Sequence, residues 1–165
     1  MSLGKVKLCY KDKYFIKQKN GQEVKLFAKL LKYLRIKIKL LKVTCAIILK
    51  DHKILVVQRG EQMKLPLKWE FPGGKIEPHE TEEDCIKREI KEELNIEISL
   101  LERLTPTSFD YPEISIELIP FLAQYEKGDI DLKEHKQFKL LTKDNLLSLD
   151  WAEADLPIVK ELQLL

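Results

Sequence analysis

Apolar and polar positions alternate in two short stretches at the start of the chain, Lys5 to Tyr10 and Lys13 to Lys17, before Asn20-Gly21 signals a turn. Val24, Phe27, Leu31 and Leu34 then recur at three- and four-residue spacing, which predicts an amphipathic helix from Gln22 to about Arg35 with a lysine-rich opposite face. From Leu41 the texture changes. Val43 to Leu49 is a nearly continuous apolar run rich in β-formers, the pattern of a strand buried on both faces. Asp51-His52-Lys53 turns the chain and Ile54 to Val57 returns as a second strand. A loop from Gly60 to Lys68 leads to Trp69-Glu70-Phe71. Thr81 to Leu94 carries helical spacing. Ile96 to Leu104, Ser115 to Ala123 and Phe138 to Leu141 read as strands, and Ser148 to Leu165 as one or two helical pieces. Mixed strands around at least two helices make the fold class α/β (α+β).

Composition narrows the classes. With 44% hydrophobic and 34% charged residues among 165, the chain can bury a real core, which excludes disorder as its main state. No apolar run approaches the ~18 residues that cross a bilayer, and lysines interrupt the N-terminus where a signal peptide would need a continuous apolar stretch. Cys9, Cys45 and Cys85 are odd in number and form no C-x-x-C pair, which fits reduced thiols and a cytoplasmic location.

Charge is distributed unevenly. Residues 1–42 carry 13 Lys/Arg against 2 Asp/Glu, a net of +11, while residues 43–165 carry 16 against 25, a net of −9. This suggests a basic extension, residues 1–41, ahead of an acidic domain, residues 42–165. The arm could meet nucleic acid or an anionic surface through its lysines. Alternatively, its apolar stripe packs on the domain or on a second copy in a homodimer while the lysines face solvent.

The chemistry concentrates between Gly73 and Ile96. Thr81 is a good N-cap, with Asp84 at the capping-box position. Ile86, Ile90 and Leu94 stack at four-residue intervals as the buried stripe. Beside them Glu89, Glu92 and Glu93 share about 100° of arc on one face. Like charges at these spacings cost a helix about 0.2–0.5 kcal/mol per pair, and the C-terminal end of a helix disfavours anions. A hard divalent cation offsets that repulsion, and Mg²⁺ prefers a few carboxylates together with phosphate oxygens and water. A solvated acidic face with Arg88 paired to Glu92 is the plainer alternative. Gly73-Gly74 allows close approach of backbone to a ligand, and Lys75 can meet a phosphate.

Gly74, five residues, Glu80, seven residues and then Arg88-Glu89-Ile90-Lys91-Glu92-Glu93-Leu94-Asn95-Ile96 resembles the Nudix box, G-x5-E-x7-R-E-U-x-E-E-x-G-U with U apolar, over 23 residues. Every defined position matches except the last glycine. Asn95 stands there, and asparagine is the next best residue for a left-handed helix end. Trp69 to Lys75 is similar to the segment that leads into the box in MutT-like members. The Glu134-His135 pair and the tail Asp150 to Val159 look MutT-like as well. The similarity runs from about residue 42 to the end.

The resemblance implies a Nudix fold, a mixed β-sheet sandwiched between α-helices, and cleavage of a nucleoside diphosphate linked to another group with Mg²⁺ or Mn²⁺. It implies that Glu89, Glu92 and Glu93 ligate metal with the Gly73 carbonyl, that Arg88 orients a glutamate of the set, and that Glu80 supports from behind. The general base is then Glu89 or Glu134. Arg59 stands where an arginine reaches the nucleotide, or is a surface arginine at a strand end. Tyr111 stands where an aromatic lines the base pocket, or forms a turn with Pro112. Asp155 stands where a base is read, or N-caps the last helix with Pro157 in its first turn. As an acceptor-only carboxylate, Asp155 would favour cytosine or adenine. Together with Ile114, at a place where MutT itself has an arginine, it moves weight from 8-oxo-dGTP towards CTP or dCTP. The function implied is a (deoxy)nucleoside triphosphate pyrophosphohydrolase, with ADP-ribose or another nucleoside diphosphate derivative as the alternative substrate. A non-catalytic module of this fold would normally lose box glutamates, and all are kept here. His52, His79 and His135 are scattered, and hard Mg²⁺ does not select imidazole; His135 is expected to orient the loop that carries Glu134.

Overall fold

The computed structural model describes residues 39–111 and 114–164. The predicted helix from Gln22 to Arg35, the two preceding alternations, Cys9 and Pro112 lie outside the described residues. β1 (Lys39–Lys50) and β2 (Lys53–Gln58) form a hairpin whose two turn residues, Asp51 and His52, both have positive φ. Such a turn matches the right-handed twist of the strands. β3 (Trp69–Glu70) pairs antiparallel to β2. Helix α1 (Glu82–Leu94) follows, then β4 (Glu97–Arg103), β5 (Thr107–Asp110), β6 (Ile114–Lys127) and β7 (Gln137–Leu141). A 3-10 helix (Lys143–Ser148) and α2 (Leu156–Leu162) complete the described chain. The strands form one seven-stranded sheet ordered β3-β2-β1-β6-β4, with β5 on β6 and β7 on β2. β1 pairs with β6 in parallel along its length, from Lys39 opposite Ile114 to Leu49 opposite Gln124.

Period-two alternation sends neighbouring residues of β1 and β2 to opposite faces. Ala46, Ile48, Leu55 and Val57 meet the α1 stripe of Ile86, Ile90 and Leu94. Cys45, Ile47, Ile54 and Val56 meet Ile158, Val159 and Leu162 of α2, together with Leu146, Trp69, Phe71 and Trp151. The sheet is therefore sandwiched between helices, as expected. Fully burying such aliphatic side chains is worth about 1.5–3 kcal/mol each, and these two layers fix α1 and α2 against the sheet. Cys45 and Cys85 are free and buried. Among the described residues no helix is long and apolar enough to cross a membrane.

Both ends of α1 match the sequence reading, with one correction. Thr81 caps through its hydroxyl, which accepts from the Asp84 N–H at 3.0 Å. The Asp84 carboxylate does not complete a capping box with the Thr81 backbone; shorter than glutamate, it accepts from the Thr81 hydroxyl at 2.8 Å. Asn95 ends the helix at φ 57°, ψ 24°, and its N–H donates to the Lys91 carbonyl. The left-handed position is filled by the residue type that tolerates it best after glycine.

Candidate active site

Gly73-Gly74 runs antiparallel beside β1, with Thr44 N–H donating to the Gly74 carbonyl at 2.8 Å and Ala46 N–H to the Pro72 carbonyl at 2.9 Å. Gly73 has φ +151°, and a Cβ there would lie 2.2 Å from the Thr44 carbonyl oxygen. Only glycine fits. Its N–H donates to Glu93 Oε2 at 3.3 Å, while a Cβ on Gly74 would fall 2.2 Å from the Glu89 carboxyl carbon. The two glycines thus let backbone and carboxylates share a narrow seam between β1 and α1.

Arg88 organises the helix face. Its Nε and one terminal nitrogen grip both oxygens of Glu80 at 2.7 and 2.9 Å; the other terminal nitrogen bonds Glu89 Oε1 at 2.9 Å and Glu92 Oε2 at 3.1 Å. The Arg88 hydrogen bonds hold the Glu80 carboxyl down at about 2. The Arg88–Glu92 pair of the plainer alternative is real, but it is one arm of a larger fork. Glu89 is 16% exposed and Glu92 61% exposed, so the first faces the seam and the second faces solvent.

Burial raises the Glu89 carboxyl. For Glu93, burial and then the charges of Glu70, Glu89 and Glu134 push the carboxyl up to about 8. Exposed Glu134 comes close because its loop is tied on both sides: Lys133 N–H donates to the Glu93 carbonyl at 3.0 Å and Lys136 N–H to the Gln58 carbonyl at 2.9 Å.

Among the described residues no three His, Cys, Asp or Glu side chains are already gathered closely enough to hold a metal ion. The donor chemistry nevertheless fits a hard divalent cation. Oxygen ligands dominate, and burial together with the crowding of anions raises the Glu93 carboxyl, a penalty that a cation would offset.

The other residues singled out from the sequence have partners of their own. Arg59 is no loose surface arginine: it pairs with Glu70 through Nη1 and bonds the Lys64 carbonyl through Nε. Tyr111 is half-buried, its ring centroid 4.7 Å from that of Phe109, and burial raises its phenol. Lys75 is exposed, and its carbonyl accepts from Arg88. Asp155 corrects one expectation. It occupies the N-cap position of α2 without capping it, and its Oδ1 instead accepts from the Phe71 N–H at 3.0 Å. Burial, then the charge of Glu70, raises its carboxyl well above the usual range. That shift favours protonation, and the protonated form would donate as well as accept, so the base preference does not follow from an acceptor-only carboxylate alone.

Glu70 and the depth of His135 escaped the sequence reading. The available signal was a lone carboxylate wedged between Trp69 and Phe71 in an otherwise apolar strand.

The NUDIX domain sequence model matches residues 39–162. A CTP pyrophosphohydrolase of Escherichia coli strain K12 is 32% identical over 122 residues, covering 74% of this chain and 90% of the relative. An 8-oxo-dGTP diphosphatase of Proteus vulgaris is 33% identical over 85 residues, 52% of this chain and 76% of the relative. Among solved structures, the MutT protein of methicillin-resistant Staphylococcus aureus 252 is 40% identical with a TM-score of 0.63, covering 76% of this chain and 97% of that one. The E. coli ORF135 protein is 30% identical with a TM-score of 0.67, covering 78% and 91%. With the box glutamates and their arginine assembled as they are, these matches establish that the chain belongs to the Nudix hydrolase family, in its MutT-like branch.

Proposed function

We propose that the protein is a Mg²⁺-dependent (deoxy)nucleoside triphosphate pyrophosphohydrolase that releases a nucleoside monophosphate and pyrophosphate, with Mn²⁺ able to replace Mg²⁺. The observation that carries this reading is the crowded carboxylate set around Glu93, built against the Gly73-Gly74 backbone. Relatives near 30% identity named CTP pyrophosphohydrolase and 8-oxo-dGTP diphosphatase support the substrate class.

Glu89, Glu92 and Glu93, with the Gly73 carbonyl, would hold the cation. Bound there, it supplies charge neutralisation and in-line alignment for phosphoryl transfer. The chain's own groups do the rest. Arg88, anchored by Glu80, fixes the orientation of Glu89 and favours its ionised form against the burial that raises it. Lys75, exposed beside the seam, meets a phosphate oxygen. Arg59 and Tyr111 face the nucleotide, and Asp155 reads the base through the oxygen not bonded to Phe71. A carboxylate takes a proton from the attacking water as its oxygen adds to phosphorus, and the phosphoanhydride breaks with pyrophosphate leaving.

Glu89 and Glu134 are the two candidates for that proton. Replacing the true base by glutamine should lower kcat by about 10²–10⁴ and remove the acidic limb of the pH–rate profile; replacing the other should leave that limb in place.

Pyrophosphate release from a panel of canonical and oxidised triphosphates with Mg²⁺, run beside Glu89→Gln, tests the proposal. Turnover of a triphosphate that the variant loses supports it. Cleavage of ADP-ribose with silence on every triphosphate replaces the substrate class, and silence everywhere from folded protein overturns the enzyme reading.

A further inference from the structure

Glu70 sits on the two-residue strand β3, opposite Val57 of β2, with the rings of its neighbours Trp69 and Phe71 in the core. Its two carboxylate oxygens serve two different partners. Oε2 accepts from the Arg59 guanidinium, and Oε1 meets His135 Nε2 at 3.1 Å. His135 is 1% exposed, and its Nδ1 has no hydrogen-bond partner. A carboxylate facing Nε2 requires that nitrogen to carry the proton, which fixes the neutral ring as the Nε2–H tautomer. One carboxylate therefore joins an arginine at the end of β2 to the residue beside Glu134.

We infer that Glu70 is a positioning residue, tying the arginine that faces the nucleotide to the loop that brings Glu134 beside Glu93. The backbone explains why such a tie is needed. The loop is otherwise pinned at Lys133 and Lys136, leaving Glu134 and His135 between the two anchors. Arg59 also bonds the Lys64 carbonyl, so the same cluster steadies the Gly60 to Lys68 loop. A carboxylate shared by two donors, largely out of solvent, holds both in one geometry, and losing it leaves a cation and an imidazole without their acceptor. The inference rests on the nucleotide-hydrolysis reading for its kinetic consequences, though not for the linkage itself.

Glu70→Gln is the first test. Glutamine keeps one acceptor and replaces the other by an N–H₂ donor, so it removes the charge that Arg59 pairs with and can meet His135 only if the ring moves its proton from Nε2 to Nδ1. We expect kcat/KM to fall about 10–100-fold, with KM raised through Arg59 and kcat lowered through Glu134. In an Arg59→Ala/His135→Asn background the same change should add less than twofold. An unchanged kcat and KM overturns the inference. So does a full effect in that background, which would mean that Glu70 touches substrate or metal directly.

The coupling can also be read without altering Glu70. Arg59→Ala and His135→Asn, whose side chains meet through Glu70, should combine non-additively, and strict additivity counts against the link. The ¹⁵N resonances of the His135 ring give a readout independent of turnover. They should report Nε2–H in the wild type and shift in Arg59→Ala if Glu70 connects the two; unshifted resonances overturn the link. A wild type that hydrolyses no nucleotide but shows that shift would fail the functional reading and keep the positioning one.

Discussion

The carboxyl of Glu89 occupies the place where a side chain on Gly74 would stand, 2.2 Å from the ideal Cβ position. The neighbouring glycine faces a different obstacle, because a Cβ on Gly73 would strike the Thr44 carbonyl oxygen, also at 2.2 Å. One glycine makes room for a movable side chain and the other for fixed backbone. The two positions should therefore fail in different ways.

Gly74→Ala displaces only the far end of a flexible side chain, so melting should change little while Glu89 leaves its place beside Arg88. Hydrolysis should fall by at least an order of magnitude. Gly73→Ala combines a positive φ, which costs a non-glycine residue about 1–3 kcal/mol, with a backbone clash that cannot relax cheaply. It should lower the melting temperature by several degrees as well as activity. Paired thermal melts and initial rates check the contrast, and equal losses of stability in the two variants would refute it.

Arg88 reaches Glu80, Glu89 and Glu92 with one planar fork. Lysine carries the charge without that geometry. Arg88→Lys should cost kcat about 10-fold or more, the order expected when a residue that orients a ligand side chain is lost, while KM changes little. Glu80→Gln should share part of that loss, because it frees the guanidinium to turn. The depressed Glu80 value sets the sign of its pH effect: stability from this pair is present above the ordinary value of 4.5 and is lost as pH falls towards about 2. Melting curves of wild type and Glu80→Gln should converge at that acid end.

The sequence reading reached farthest where local rules decide the outcome. Thr81, the Ile86/Ile90/Leu94 stripe and Asn95 each act within a few residues of themselves, and α1 has the predicted ends. β1 and β2 were legible for a similar reason, since a strand buried on both faces reads as an unbroken apolar run. β5 was missed because Thr107-Ser108-Phe109-Asp110 offers a single large apolar side chain from which to read its alternating burial; its existence depends on pairing with β6. The 3-10 helix likewise depends on Leu146 filling the core against α2 and Trp151. At the site, box spacing revealed the glutamates, but the inward turn of Asp155 to Phe71 and the sharing of Glu70 by Arg59 and His135 join residues more than sixty positions apart or on separate strands and loops. Only the assembled sheet brings them together.

The start of β1 bears on the basic N-terminal segment. Lys39, Leu40 and Leu41 lie opposite Ile114, Ser115 and Ile116 of β6, ahead of the apolar run. Truncation before Lys39 should leave turnover near the wild-type rate. Truncation before Lys42 removes three paired residues and should lower the melting temperature further. Comparing both with the full chain, for melting, turnover and salt-dependent retention on RNA or DNA, separates a binding role of the segment from a structural one. Retention that only the full chain shows, fading steeply with salt, would mark the lysines as a phosphate-backbone surface.

Glu93 gives the sharpest dependence on pH and metal. Its carboxyl is raised from 4.5 to about 8 in the folded protein, so folding binds a proton that the unfolded chain releases more readily. Stability from this group is fully present below about 4.5 and is lost as pH rises through about 8. Metal-free protein should therefore melt at progressively lower temperature across that window. Glu93→Gln, which carries no charge at any pH, should show a flatter profile. Asp155 is raised as well and adds to the slope in the same direction, so Asp155→Asn should flatten it further. Mg²⁺ bound as proposed needs the carboxylates deprotonated and would stabilise the folded state by mass action. Its addition at pH 8 should raise the wild-type melting temperature, with a clearly smaller rise in Glu93→Gln. An equal metal effect in both proteins would move the cation away from Glu93.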